Sequence, residues 1–240
     1  MPLFYSLVRI AIIIVDNTLF RTKIVHKKRL PKGGFLIAMN HSAYADILHI
    51  MGKQPRVVHY LAKKELFKTR IGAWFHYGMQ EIPVDRQKGG NVEAVKDAVK
   101  KLKKGGIVGI FPEGGTKPVG QRELAEPHTG VSRMALMAKV PIVPAGIAGN
   151  RDVWHRLDNK RWIEKQYLII GKPMYFEEYY GQEEDREVLK KIVNEVMAEI
   201  DKLIDEGDKI RGDVVKKKGK GKRIDKHMEK KKGKKGKKKK

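Results

Sequence analysis

Apolar residues along this chain follow two rhythms: short apolar-rich runs, and stretches in which they recur every three or four positions. The runs at residues 35–39, 56–62, 81–84, 107–111 and 142–147 are bounded by Gly, Pro or charge and predict strands, with 167–170 as a sixth. The helical rhythm appears where Asn91 can cap a segment whose apolar face is Val92, Val95, Ala98, Val99 and Leu102, stopped by Gly105 and Gly106. Thr129 can cap a second helix through Met134, Ala135 and Ala138. A long amphipathic helix carries Val188, Leu189, Ile192, Val193, Val196, Met197, Ile200, Leu203 and Ile204 on one face, with Gly207 as its expected stop. Strands alternating with helices predict an α/β fold, a largely parallel central sheet flanked by helices. In such sheets ligands sit at the carboxyl ends of the strands, where His41, Arg86 and Glu113 fall.

The first 25 residues form an amphipathic segment of their own. At 100° per residue, Phe4, Leu7, Val8, Ala11, Ile12, Ile14, Val15 and Leu19 gather on one broad face, and Ser6, Arg9, Asp16 and Asn17 lie opposite. The longest unbroken apolar run, residues 10–15, is far short of the roughly 20 residues that span a bilayer, so a simple transmembrane helix is not expected. Two readings stay open: a helix packed on the core, or a helix lying in a membrane interface.

Composition sharpens this picture at the other end. The chain has 240 residues and a net charge of +24, and residues 211–240 alone hold 17 Lys and Arg against three acids, a net +14. Residues 208–240 are therefore expected to be a disordered Lys-rich tail, with one catalytic domain over 26–207. The tail suits attraction to an anionic membrane surface, or it acts only as a solubilising extension. It has no aromatic residue for base stacking, which argues against a nucleic-acid partner. Cysteine is absent, which excludes disulfides, thiolate metal sites and a cysteine nucleophile. No cleavable signal pattern is visible, and the expected location is the cytoplasmic face of a membrane, peripheral or monotopic.

The candidate chemistry lies in the segment from Asn40 to Asp46, followed downstream by Phe111, Pro112, Glu113, Gly114, Gly115 and Thr116. A His oriented by a carboxylate is a general base, and a Gly-rich turn lets backbone approach a ligand closely. Five residues along a continuous helix turn a side chain by about 140°, so His41 and Asp46 need a turn between them. A strand ending at Met39, with Ser42 as N-cap of the next helix, provides it. A metal site at His41, Asp46 and His49 lacks the usual helical pairing of ligands, and no metal is expected.

Two further blocks, residues 78–86 (GMQEIPVDR) and 140–147 (VPIVPAGI), complete a set of four in order. With them the chain resembles the glycerolipid acyltransferases of the lysophosphatidic acid acyltransferase type. The third block departs from the family's usual FPEGTRS: Gly115, Thr116 and Lys117 stand where Thr, Arg and Ser are usual, leaving Lys117 or Arg122 as substitute cations. The resemblance implies that His41 and Asp46 are catalytic and that an acceptor hydroxyl attacks an acyl thioester directly. It implies an acceptor phosphate held by Arg86 and by Lys63, with Lys64 as rival, and acceptor binding by Glu113 with Gly114, Gly115 and Thr116. Alternatively, Glu113 pairs only with Arg86 or a local Lys. No cofactor is expected; acyl-CoA or acyl carrier protein serves as co-substrate. The implied reaction esterifies the sn-2 hydroxyl of 1-acylglycerol 3-phosphate, giving phosphatidic acid. Another lysophospholipid, a glycolipid or another amphipathic alcohol is the alternative acceptor.

Overall fold

The computed structural model describes residues 2–41, 43, 45–85, 92–115, 124–149 and 166–212. Among them seven strands form one sheet: β1 (Lys23–Val25), β2 (Phe35–Met39), β3 (Val58–Lys63), β4 (Ile82–Val84), β5 (Ile107–Ile110), β6 (Ile142–Ala148) and β7 (Tyr167–Ile170). The spatial order is β1-β7-β6-β2-β5-β3-β4, and every neighbouring pair is parallel except β6 with β7. The expected largely parallel sheet is present. The three-residue β1 was not foreseen, because a strand this short has no readable period.

Alternate residues of β2 feed two separate cores. Leu36 and Ala38 join the layer made by α4 (Val92–Lys103), α5 (Gly130–Ala138) and α6 (Arg186–Ile210). Phe35, Ile37 and Met39 face the layer made by α1 (Leu3–Val15) and α2 (Asp46–Lys53). A parallel strand covered on both sides reads as one apolar run, which is what residues 35–39 show. The α4 face is as expected at Ala98, Val99 and Leu102, but Val92 at its start is exposed. Helix α6 does not stop at Gly207. It continues to Ile210, because a Cβ at Gly207 would sit 2.6 Å from Ala148 Cβ, and the missing side chain lets the helix lie close on β6.

The N-terminal helix differs most from expectation. A helical run continues from α1 through a π turn at Asp16–Phe20, and the 18 residues Leu3–Phe20, of mean hydropathy 1.7, are long and apolar enough by those measures to cross a membrane. Its two charged residues, Arg9 and Asp16, turn inward. Arg9 Nε donates to the carbonyls of Met51 (3.2 Å) and Gln54 (3.1 Å), where the carboxyl end of α2 attracts a cation. Buried Asp16 accepts hydrogen bonds from Thr22 and from His49 Nδ1 (2.9 Å), and pairs with Lys53 at 3.0 Å. Burial works to raise the Asp16 carboxyl, but the bonds from His49, Thr22 and Lys53 outweigh it and hold the group below the ordinary carboxylate value. Tyr5 and Ile12 are buried with them, and the Tyr5 hydroxyl accepts from Val58 N at 3.1 Å. Leu3, Leu7, Ile10 and Ile14 face outward.

The close seating of α6 on the sheet generates a stability prediction. A Cβ at Gly146 would lie 2.6 Å from Ile204 N and 2.7 Å from Leu203 C, both helix backbone that cannot step aside. Gly146→Ala is expected to cost about 1–3 kcal/mol and to lower the thermal midpoint. Gly33→Ala, with open space around the new carbon, should stay within about 0.5 kcal/mol of the parent in the same denaturant titration.

Candidate active site

Strand β2 ends at Met39, and Asn40 closes it onto β6. Its side chain mimics a peptide: Asn40 Nδ2 donates to Ile147 O at 3.1 Å, and Ile147 N donates to Asn40 Oδ1 at 2.8 Å. The next residue, His41, therefore emerges at the carboxyl edge of the central strand. The chain then turns, and α2 begins at Asp46 with Ala45 as its cap and no side-chain capping bond. The expected Ser42 cap is thus not where the helix starts, and Ser42 itself lies outside the described residues. The turn is held by Asp46, whose amide donates to Ala43 O at 3.1 Å while its Oδ2 accepts from Ala43 N at 2.9 Å.

The same Oδ2 lies 3.0 Å from His41 Nδ1, with the Asp46 side chain fully buried and the His41 ring 12% exposed. With Nδ1–H donated to the carboxylate, the lone pair resides on Nε2, the tautomer a general base requires. The imidazole stacks on Phe111 at 4.0 Å between centroids and 14° between planes, and Phe111 stacks in turn on buried Tyr60 at 5.9 Å. Gly109 makes room for this column, since a Cβ there would strike the Tyr60 ring at 2.4 Å. Burial, assisted by the charges of Tyr5, Asp46 and Glu81, pushes the Tyr60 hydroxyl far above its ordinary value, so it stays neutral.

The β2–β5 register pairs Ala38 with Ile110, so the segments after both strands run side by side. That alignment brings Glu113 to His41: Oε1 accepts from His41 N at 3.0 Å, and Oε2 accepts from Ala125 N at 2.9 Å. Glu113 is buried and braces the backbone of the candidate base. Gly114 follows at φ +71°, where a Cβ would also meet the His128 ring at 2.7 Å, and His128 N donates to Pro112 O at 2.8 Å. Gly115 borders open space. Lys63 is exposed at the end of β3, and the register sets it beside Val84, two residues before Arg86. Arg86 and Thr116, like Lys117 and Arg122, lie outside the described residues. His49 does not join His41. It turns away to Asp16, and among the described residues no cluster of three or more His, Asp or Glu side chains is placed to hold a metal.

Sequence reasoning gave no individual role to Asn40, Phe111, Tyr60 or His128. The first two sit inside the blocks that carry the candidate chemistry, flanking His41 and Glu113, and that adjacency was the available signal. Tyr60 and His128 are brought in by strand pairing and a loop, which no local pattern announces.

The acyltransferase family model matches residues 21–148, and the chain belongs to that family. It is 35% identical over 158 residues to the 1-acyl-sn-glycerol-3-phosphate acyltransferase of Bacillus subtilis (strain 168), covering 64% of this chain and 73% of that protein. A protein of the same description from Streptococcus pneumoniae (strain ATCC BAA-255 / R6) is 29% identical over 114 residues, 48% of this chain and 41% of that one. The fold is that of the crystal structure of the 1-acyl-sn-glycerophosphate (LPA) acyltransferase PlsC from Thermotoga maritima. The two agree with a TM-score of 0.62 at 24% identity, over 84% of this chain and 80% of the other.

The brace formed by Glu113 can be tested. Glu113→Ala strips two backbone amides of their acceptor, about 1–3 kcal/mol each where water does not replace it. The expected result is a lower thermal midpoint and a reduced kcat, with Glu113→Gln, which keeps one acceptor oxygen, lying between. Steady-state kinetics decide the role: a defect confined to the acceptor KM would make Glu113 a substrate contact and not a brace.

Proposed function

We propose that this chain transfers a fatty acyl group from a thioester to the sn-2 hydroxyl of 1-acylglycerol 3-phosphate, giving phosphatidic acid. The observation that carries this reading is the His41 Nδ1 to Asp46 Oδ2 contact of 3.0 Å at the carboxyl edge of the sheet, in a chain 35% identical to a protein described by that activity. His41 Nε2 takes the proton of the acceptor hydroxyl as its oxygen attacks the thioester carbonyl. Asp46 stays ionised and stabilises the imidazolium. The tetrahedral oxyanion then collapses, the carbon–sulfur bond breaks, and the departing sulfur receives the proton from His41. No covalent acyl-enzyme is required. Arg86, with Lys63 at the neighbouring strand end, holds the acceptor phosphate, for which a guanidinium fork is well matched. The donor carrier is acyl-CoA or acyl carrier protein.

The substrate resides in a bilayer, and the protein meets it at the surface. The outward stripe Leu3, Leu7, Ile10 and Ile14 recurs at helical spacing, as an interfacial helix requires, and the tail contributes long-range attraction to anionic headgroups.

A thiol-release assay on purified protein, with both thioester donors and with phosphate-bearing and phosphate-free lyso-acceptors, tests the reaction. Release should depend on the phosphate-bearing acceptor. His41→Ala should abolish it, and Asp46→Asn should lower kcat by a factor on the order of 10² to 10⁴. Turnover by His41→Ala within about tenfold of the parent would remove the base assignment. Arg86→Ala should raise the acceptor KM steeply and leave the donor KM nearly unchanged, and loss of preference for the phosphate-bearing acceptor in this variant is the diagnostic.

A further inference from the structure

Helix α3 (Arg70–Gly78) joins β3 to β4 and has no buried residue, although its sequence is rich in large apolar side chains. A short helix in a folded domain is ordinarily held by an apolar face turned to the core. Here Ile71 is 81% exposed and Trp74 65%, with Phe75 and Tyr77 beside them and Leu66 just before. This surface is not isolated. Phe4 of α1 packs edge-on against Trp74 at 4.7 Å and against Phe75 at 5.9 Å. A Cβ at Gly78 would strike the Phe4 ring at 2.5 Å, so Gly78 is what lets the two helices meet. Leu3 and Leu7, 76% and 59% exposed, thereby become neighbours of the α3 face.

The charges around this patch are predominantly positive. Lys63, Lys64, Lys68 and Arg70 are all exposed, and Glu65 is the one acid between residues 63 and 78. Thr69 fixes the helix start by accepting from Gly72 N at 3.0 Å, with Lys68 and Arg70 on either side of it and the exposed Ile71 and Trp74 following within one turn. Apolar side chains with an amphipathic Trp and Tyr, rimmed by cations, match the layered chemistry of an anionic bilayer surface: headgroup charge outside, acyl boundary beneath.

We propose that α3 is a membrane-inserting element, forming with the outer stripe of α1 one continuous footprint on an anionic lipid bilayer. Ile71 and Trp74 enter the acyl boundary, and Lys64, Lys68 and Arg70 lie among the headgroups. Because α3 follows closely on the carboxyl end of β3, where Lys63 stands, this footprint sets the phosphate-binding edge of the sheet against the membrane. The orientation rests on the acyl-transfer reading, whereas the insertion of α3 does not.

The test uses the full-length protein and vesicles of equimolar phosphatidylglycerol and phosphatidylcholine. With Trp154→Phe and Trp162→Phe, Trp74 is the sole tryptophan. Its emission should shift to the blue on vesicle addition and be quenched by lipids brominated near the headgroup end of the chain. Ile71→Asp, at a position too exposed to threaten folding, should weaken partitioning at high salt by about tenfold or more. Its thiol release with a short-chain acceptor below its micellar concentration should match the parent. Unchanged Trp74 emission, or unchanged partitioning of Ile71→Asp, overturns the proposal. Self-association of the parent that Ile71→Asp abolishes, with partitioning intact, also overturns it and assigns the face to a second copy of the chain. A parent that inserts Trp74 but transfers no acyl group would sink the enzymatic reading and leave this one standing.

Discussion

A strand that is hydrogen-bonded on both edges and covered on both faces can present chemistry only where it ends. Strand β2 is in that position, with β5 and β6 on either side and all five of its residues buried. Because both faces of β2 are apolar, side-chain pattern alone selects its register weakly. Polar groups just past its end select it. The paired bonds between Asn40 and Ile147 and the bond from His41 N to Glu113 each exist in one alignment only. A slip by one residue would leave a buried amide and a buried carboxylate without these partners. The same bonds that align the sheet therefore place the candidate base.

Helix α2 is the second half of that arrangement, and it is held along its whole length. At its start Asp46 binds Ala43 N and His41; on its inner side His49 and Lys53 bind Asp16; at its end the last carbonyls receive Arg9. Each of these charges is buried or half-buried and would be costly without its partner. Strength and specificity here come from different sources: the apolar residues Tyr5 and Ile12 supply area, while Arg9 and Asp16 decide which side of α1 faces the domain. The helix that touches α2 through its polar residues consequently turns its Leu and Ile stripe outward.

The Glu113 turn shows how a single residue serves more than one end. Its carboxylate spans the segments after β2 and β5 through two backbone amides, and Gly114 then bends the chain into a left-handed conformation beneath His128. Behind it, Phe111 forms the floor on which the imidazole lies flat. A ring supported on one face and bonded at one nitrogen has little freedom left, which leaves the second nitrogen in a defined direction for proton transfer.

By itself the sequence determined the alternation of strand and helix, the buried faces of α4 and α6, and the pairing of His41 with Asp46, because these follow from local periodicity and from residue types within five positions of each other. It also carried the four blocks on which the family resemblance rested. Tertiary structure decided what depended on partners distant in the chain. Arg9 and Asp16 look like a solvent face until the carboxyl end of α2 and His49 are brought beside them, and Gly207 looks like a helix stop until β6 lies against it. Glu113 meets the amide of His41 only when the β2–β5 register sets it there, a partner that no local pattern announces. Periodicity reports how much apolar surface an element must bury, and it is silent on which buried polar group will meet which. That choice is made only when the strands pair.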